Sequence, residues 1–564
     1  MSSVPQIELP EKYYLDNFEA LLRFVQEKSG NLMSRREKNF ARKFLALPED
    51  ARCLFVRLTN RKGSFFRISK LSYAEINDLL ETTDLLCQQK FFSRLSPKHS
   101  NEFTEVLSIF PKAELLTLLP KEELPKGYRS LKKPELITCA VAHLNTRKII
   151  NVLRQLEDIV RVGYEDQVAM LRFLYFGDIH SDMSQFVVRD LGIIKSELFN
   201  EDKLKAAYRT RQEAEDTFRM LRIYQEFRVL RDEAMAPADE IYRWFQNCSL
   251  TRQEFCSLAL PTFDRLSLKI GKMLEQQSHP KFALSMYEQT EKPPARERRV
   301  RLLHKLGSKE EALQLCQNII SEPQNAEEKF FAEDFYNRIA NKKRRKQATD
   351  VLHDSPSITL PIEAQPCVEL GVLEYYQNQG HEGCFVENYL WRGFFGLLFW
   401  DIIFDEDYEA IHHPFQARPT DFYTPDFLKK RKQKLIRRLG VLEKPSHFKK
   451  IINHHYETKL GMSNPMIGWH ESLLPLVEQC YQQLEAKQIG AILMEMAKDL
   501  KENSRGFPDL FIWKEREYQF IEVKSPNDQL SAQQLYWLKF FRKQKIAAQV
   551  LRVKWEESRG AMNS

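Results

Sequence analysis

In GFPDLFIWKEREYQFIEVKSPNDQLSAQQ, residues 506–534, two short apolar runs each carry one acid, Asp509 and Glu522. The second run adds Lys524 two places further on. DLFIW and YQFIEVK are rich in aromatic and β-branched residues and flank the charged turn KERE, so they read as adjacent antiparallel strands. Side chains alternate along a strand, which puts Phe520, Glu522 and Lys524 on one face and Ile521 and Val523 on the other. With Asp509 beside that face, two carboxylates and one ammonium converge at a sheet edge. Buried carboxylates repel and resist ionisation without a counter-charge. A divalent cation supplies one, and Mg²⁺ or Mn²⁺ favours such oxygen ligands. Bound there, it would polarise a phosphodiester and stabilise the leaving oxygen. Lys524 would hold the attacking water or meet the growing negative charge. The competing reading is an acid–lysine ion pair with no chemistry.

The neighbouring elements must present these residues. SPND makes a turn, and Ser531 with Gln534 forms an S-x-x-Q capping box that opens the helix SAQQLYWLKFFRKQ. Leu535, Leu538 and Phe541 fall on its packed face, and AAQVLRVKW, 547–555, supplies another strand. Pro-Asp, then a strand bearing Glu-x-Lys, then a capped helix resembles the PD-(D/E)xK nuclease superfamily. Its members commonly bring a further acid from an early helix. FVENYLWRGFFGLLFWDIIF, 385–404, is apolar on nearly every face and predicts a buried helix. Glu387 lies on its stripe of Trp391, Phe394 and Leu398, where an unpaired acid is costly. Asp401 and Glu382 are the alternatives, and helix capping is the competing role for all three.

At 564 residues the chain is long enough for several domains. Residues 10–50 alternate apolar and charged positions at helical spacing. CLFVRL and SFFRIS then read as strands around the turn NRKG. This hairpin carries Arg57, Arg61, Lys62, Arg67 and Lys70 among phenylalanines, so a helical domain with a basic β-hairpin, winged-helix-like and DNA-binding, is expected over 1–105. Two short amphipathic helices over 106–150 resemble a SAP-type helix–loop–helix. Residues 151–270 read as helical. LHKLGSKEEALQLC, within 271–346, has the turn and small-residue packing of TPR-like repeats. KKRRK, 342–346, reads as a solvent-facing helix end, with a localisation signal as the alternative. Residues 347–370 are rich in Pro, Ser and Asp and read as a linker. The remainder, 371–564, reads as one α/β domain. The fold class is therefore multidomain, mostly helical, with a C-terminal α/β nuclease domain.

Composition narrows the partners. The balance of 85 basic and 78 acidic residues gives +7, compatible with a polyanion. Nine cysteines with no C-x-x-C spacing argue against a zinc ribbon and read as reduced thiols in a reducing compartment. The first residues lack the basic and apolar segments of a signal peptide. The longest uncharged stretch of 385–404, GFFGLLFW, is too short to span a membrane. His412–His413 and His454–His455 read as surface or DNA-facing pairs, since adjacent side chains diverge.

ENYLWRGFFGLLFWDIIF, GFPDLFIW and IEVKSPNDQLSAQQLYWL together are similar to the VRR-type nuclease domain of the Fanconi-associated nucleases. LFVRLTNRKGSFFRISKLSYAEI and LGSKEEALQLCQNIISEP resemble the same family, so the likeness runs over roughly residues 12–555. The resemblance implies a Mg²⁺- or Mn²⁺-dependent, structure-specific DNA nuclease. It would combine 5′-flap endonuclease with 5′→3′ exonuclease activity (phosphodiesterase I), release 5′-nucleotides and act in interstrand crosslink repair. It also implies that Glu387, Asp509, Glu522 and the main-chain carbonyl of Val523 ligate the metal, with Lys524 as the catalytic lysine. The partner expected is DNA with 5′ flaps or branched ends, with dimerisation on DNA as a further expectation. No Cys/His cluster precedes Cys53, so the ubiquitin-binding zinc finger of vertebrate members is not expected. The chain looks like a bacterial-type member, placed with the nucleoid in the cytoplasm, or in the nucleus if eukaryotic. A Holliday-junction resolvase-like enzyme and a catalytically inert DNA-binding scaffold are the alternatives.

Overall fold

The computed structural model describes residues 9–192, 195–343 and 345–556. Arg344 of the KKRRK run and the first eight residues lie outside them. The chain divides into two compact units, residues 9–192 with 206–218, and residues 195–205 with 219–556. Among the described residues no helix is long and apolar enough to cross a membrane.

In the first unit the helices Tyr13–Ser29, Arg35–Leu45 and Glu49–Thr59 lead into a three-stranded sheet, β1 (Phe65–Arg67), β2 (Phe92–Arg94) and β3 (Ile159–Val162). Its order is β1-β3-β2, antiparallel throughout. The hairpin expected at 52–70 does not form. CLFVRL is the second half of a helix that starts after Pro48 with Glu49 and Asp50 in its first turn, where acids favour the helix dipole. Its Phe55 is buried between Phe40 and Phe44 of the preceding helix and Phe92 of β2, so the segment packs as a helix against the sheet instead of joining it. SFFRIS does supply a strand, but its partner is β3, in the region read as helical.

The boundaries at 105 and 150 also fall inside one core. Phe65, Leu95 and Phe103 pack in the same cluster as Leu115, Leu136, Ile150 and Ile159. The helices Lys112–Leu118 and Lys133–His143 therefore share an interior with β1 instead of forming a module apart.

In the second unit the helices Ala295–Leu306, Lys309–Ser321 and Ala326–Ala340 pack each against the next. Arg296 and Glu328 lock this stack through a buried two-pronged bond, 2.7 and 2.6 Å. The stack joins the nuclease sheet directly, since Ala326 and Phe330 cluster with Leu530, Leu535 and Val550.

That sheet contains β4 (Ser357–Leu360), β5 (Glu382–Phe385), β6 (Leu510–Lys514), β7 (Glu517–Lys524) and β8 (Ala548–Trp555), in the order β4-β8-β7-β6-β5. The segment 347–370 is thus no linker. It holds the helix Gln347–Asp354 and the edge strand β4, which pairs parallel with β8. Its Pro and Ser residues bound a four-residue strand too short to show alternation. β5, β6 and β7 form an antiparallel run, and the helix Ala532–Lys543 carries the chain from β7 to its parallel partner β8. Ile521 and Val523 face one core with Val372 and Val553, while Phe520 faces another with Trp391, Trp537 and Phe541. Glu522 and Lys524 follow Phe520 on its face, where the apolar packing ends.

Candidate active site

β6 and β7 leave their ladder at the pair Leu510↔Ile521. One step beyond stand Asp509 on one strand and Glu522 on the other. β5 leaves its ladder with β6 at Phe385↔Leu510, so Val386 and Glu387 come next to Asp509. The backbone fastens this corner, because the Val386 and Glu387 N–H groups both donate to the Asp509 carbonyl, at 2.7 and 3.1 Å. Three adjacent strand ends therefore bring the three acids to one edge of the sheet.

Glu387 is not on a helix stripe. The helix begins at Tyr389, and Glu387 occupies the joint between it and β5, exposed and with φ +27°. Such a backbone costs on the order of 1–3 kcal/mol in a non-glycine residue and persists where surroundings impose it. Here the two N–H bonds to the Asp509 carbonyl fix the backbone, and Asn388 ties down the side chain: its Nδ2 donates to Glu387 Oε1 at 2.8 Å and its Oδ1 accepts from Phe507 N at 3.3 Å. Gly506 closes the same corner, with φ +80°, and a Cβ there would stand 2.8 Å from Gln533 Cγ. The alternatives to Glu387 lie elsewhere. Asp401 is forked by Arg438, and Glu382 at the far end of β5 accepts from Trp513 Nε1.

Glu522 is 1% exposed and Lys524 8%. Lys524 Nζ stands 2.8 Å from Glu522 Oε1, and Gln534 Nε2 donates to the same oxygen. Gln534 Oε1 accepts from Lys524 Nζ at 3.3 Å and from the Ser531 N–H at 2.9 Å. One side chain thus caps the helix and holds both ends of the acid–lysine pair. Asp509 Oδ2 accepts from the Val523 N–H at 2.8 Å. Glu522 Oε2 is buried and has no hydrogen-bond partner.

Burial pushes Glu522 up to about 8, the Asp509 charge adding to it and Lys524 opposing. Burial likewise raises Asp509 to about 6, against the Val523 N–H and Lys524, with the charges of Glu369 and Glu387 adding. Each carboxyl keeps its proton in the fold at a pH where the unfolded chain has lost it, because unfolded carboxyls titrate near 4. The folded state therefore binds extra protons between about pH 4 and 8, and stability falls as pH rises through that window. Metal-free wild type is expected to lose stability relative to Glu522→Gln by on the order of 1 kcal/mol per unit between pH 5 and 8. Urea melts in EDTA check this, and parallel pH profiles for the two proteins would refute the assignment.

Among the described residues no three His, Cys, Asp or Glu side chains already form a cluster that could hold a metal ion. The donor set nonetheless fits a hard cation: a partnerless buried carboxylate oxygen, two carboxyls whose hold on the proton is raised by burial and by neighbouring acids, and further acids at the rim. Gln534 and Lys524 occupy the other oxygen of Glu522.

Sequence reasoning placed Asp509, Glu522 and Lys524 together and missed Gln534, Asn388 and Glu369. Gln534 was legible only as a cap. Glu369, in the first turn of the helix Val368–Gln377, looks like any acidic helix start. The basic residues at 57–70 divide. Arg57 is held by Glu75 and stacks on Tyr14, and Arg67 is held by Glu114 and Glu157. Arg61, Lys62 and Lys70 are exposed. The histidine pairs are mostly interior: His412, His413 and His455 are buried, and His455 Nδ1 lies 2.6 Å from the Leu397 carbonyl.

This sheet and its helices define a PD-(D/E)xK-type nuclease domain, a class of metal-dependent hydrolases acting on DNA. Residues 443–555, which include Asp509, Glu522 and Lys524, match the family described as the VRR-NUC domain. Residues 12–93 match the HTH domain of FAN1. Both matches are to domains of the Fanconi-associated nucleases, which the chain resembles from end to end. It is 29% identical to the Fanconi-associated nuclease 1 homolog of Pseudomonas aeruginosa, over 97% of each chain. It is 26% identical to the Arabidopsis thaliana homolog, over 94% of this chain and 66% of that one. A crystal structure of paFAN1 bound to 5′-flap DNA with a two-nucleotide flap and a gap matches with TM-score 0.81 and 27% identity, covering 98% of this chain and 100% of that one.

Proposed function

We propose that this chain is a structure-specific DNA nuclease that cuts 5′ flaps, degrades DNA 5′→3′ with release of 5′-nucleotides, and serves interstrand crosslink repair. The reading includes phosphodiesterase I-type activity with Mg²⁺ or Mn²⁺, a monomer or DNA-assembled dimer working on branched ends, and residence with the bacterial nucleoid. Glu387, Asp509, Glu522 and the Val523 carbonyl would hold the cation. When bound, it would polarise the scissile phosphate and carry charge from the leaving oxygen. Asp509 is kept in register by the Val523 N–H, and Glu522 is kept in the sheet end by Gln534. Cation binding requires both carboxyls to give up their protons, which ties activity to rising pH. Lys524, held in place by Glu522 and Gln534, would orient a water for attack or meet the negative charge growing on the phosphate.

The observation that carries this reading is the partnerless Glu522 Oε2 beside Asp509 and Lys524, in a chain alike over 98% of its length to one crystallised on a 5′ flap. End-labelled flaps, forks, nicks and four-way junctions with Mg²⁺, Mn²⁺ or EDTA test it. Flap cleavage near the junction, abolished by EDTA, is expected. Symmetric junction cuts would support a resolvase, and metal-independent binding without cutting an inert scaffold.

A further inference from the structure

The helix Glu165–Phe176 carries Arg172, half-buried, at the side of the first unit's core. Its Nη2 donates to Asn60 Oδ1 at 2.5 Å. Its Nε is buried and makes no hydrogen bond, and the guanidinium makes no ion pair among the described residues. Asp182 acts on it only through space, and burial drives its pKa down. On this half-buried side chain the Nε is the buried donor left without a partner, and an orphaned donor on a cation calls for an explanation.

Beside it lies a cavity of about 280 Å³ lined by Arg172, Arg61, Thr59, Gly63, Ser64 and Glu165, among others. The polar lining is otherwise committed. Glu165 accepts from Arg161 Nη2 at 3.1 Å, and Thr59 Oγ1 donates to the Phe55 carbonyl. Ser64 N–H donates to Glu105 Oε1 at 2.6 Å, and the Ser64 carbonyl accepts from Val162 N–H at 2.8 Å. These bonds fix the loop that carries Arg61, which is exposed at the mouth and makes no ion pair among the described residues. The cavity therefore presents two unneutralised guanidinium groups on a rigid frame.

We propose that this cavity is a phosphate site, in which Arg172 from within and Arg61 from the mouth seat one internal phosphate of a DNA duplex backbone. Guanidinium forks match phosphate oxygens in geometry and charge. An arriving phosphate supplies the acceptor that Arg172 Nε lacks, and Asn60 holds the fork in place. The identification of the polyanion rests on the reading of the chain as a DNA nuclease; the anion site itself does not.

The test is equilibrium binding of the full chain in EDTA to blunt duplex DNA, with and without a 5′-phosphate, across salt concentrations. EDTA removes cleavage from the measurement, so failure of the nuclease reading and failure of this one are separable. Arg172→Met is expected to weaken binding at low salt by about 5–10-fold and to flatten the slope of log K against log salt by about 0.9, equally on both duplexes. Affinity and slope equal to wild type would overturn the proposal. A loss confined to 5′-phosphorylated DNA would also overturn it, assigning the cavity to a terminal phosphate. Should Arg172→Met melt far below wild type, the exposed Arg61→Glu decides: an unchanged slope overturns the site, and a slope flattened by about one unit or more supports it.

Discussion

Lys524→Met is expected to lower the single-turnover rate on a 5′ flap by about 10³-fold or more while changing the dissociation constant for the same DNA less than about twofold. Methionine fills nearly the same volume, so the packing next to Gln534 is kept. What disappears is the ammonium 2.8 Å from Glu522 Oε1. In the metal-free protein that loss leaves Glu522 with Gln534 as its only partner and drives its carboxyl further toward the protonated form. A divalent cation restores a counter-charge, so the variant should bind the cation and still fail to cut. That split separates a lysine that acts on the reaction from one that merely neutralises a buried acid. If added Mn²⁺ returned the variant to the wild-type rate, Lys524 would be only the placeholder for the metal.

The legible parts of this site are those built from local pattern. DLFIW, YQFIEVK and AAQVLRVKW announce strands by alternation, and Ser531 with Gln534 announces the helix between them. Strand alternation alone puts Glu522 and Lys524 on the face of Phe520. What failed was anything decided by partners distant in sequence. CLFVRL has the composition of a strand, but Pro48, Glu49 and Asp50 start a helix before it, and packing between helices and sheet buries the same side chains. SFFRIS has no strand next to it in sequence, since β3 arrives about ninety residues later. SITL is four residues among prolines, and only its pairing with β8 makes it part of the sheet. Glu387 was expected on a helix stripe and lies instead at the joint between β5 and the helix. The apolar run after it is so continuous that periodicity cannot tell where the helix starts, and a bend with φ +27° leaves no mark in composition. Gln534 could be read as a cap, whereas its grip on Glu522 and Lys524 exists only once β7 and the helix are side by side.

Asp509→Asn is expected to abolish cleavage as completely as Lys524→Met, but through a different measurement: calorimetric Mn²⁺ binding should weaken by about 10–100-fold or more. The substitution removes a charge and little else. The asparagine Oδ1 can still accept from the Val523 N–H, and the Asp509 carbonyl that receives Val386 and Glu387 is untouched. The fold should therefore survive, and thermal melts in EDTA should equal or exceed wild type, since a buried carboxyl has been replaced by a neutral amide. Removing the Asp509 charge also removes one of the forces raising Glu522, so the Glu522 carboxyl should titrate lower in the variant. A simple electrostatic account would then predict easier metal binding at Glu522 alone, whereas a site that needs both carboxylates predicts weaker binding despite that easier ionisation. Retained Mn²⁺ affinity in Asp509→Asn would show that the cation sits on Glu522 and its neighbours without Asp509, and the convergence of strand ends at 509 and 522 would have to be explained by packing alone.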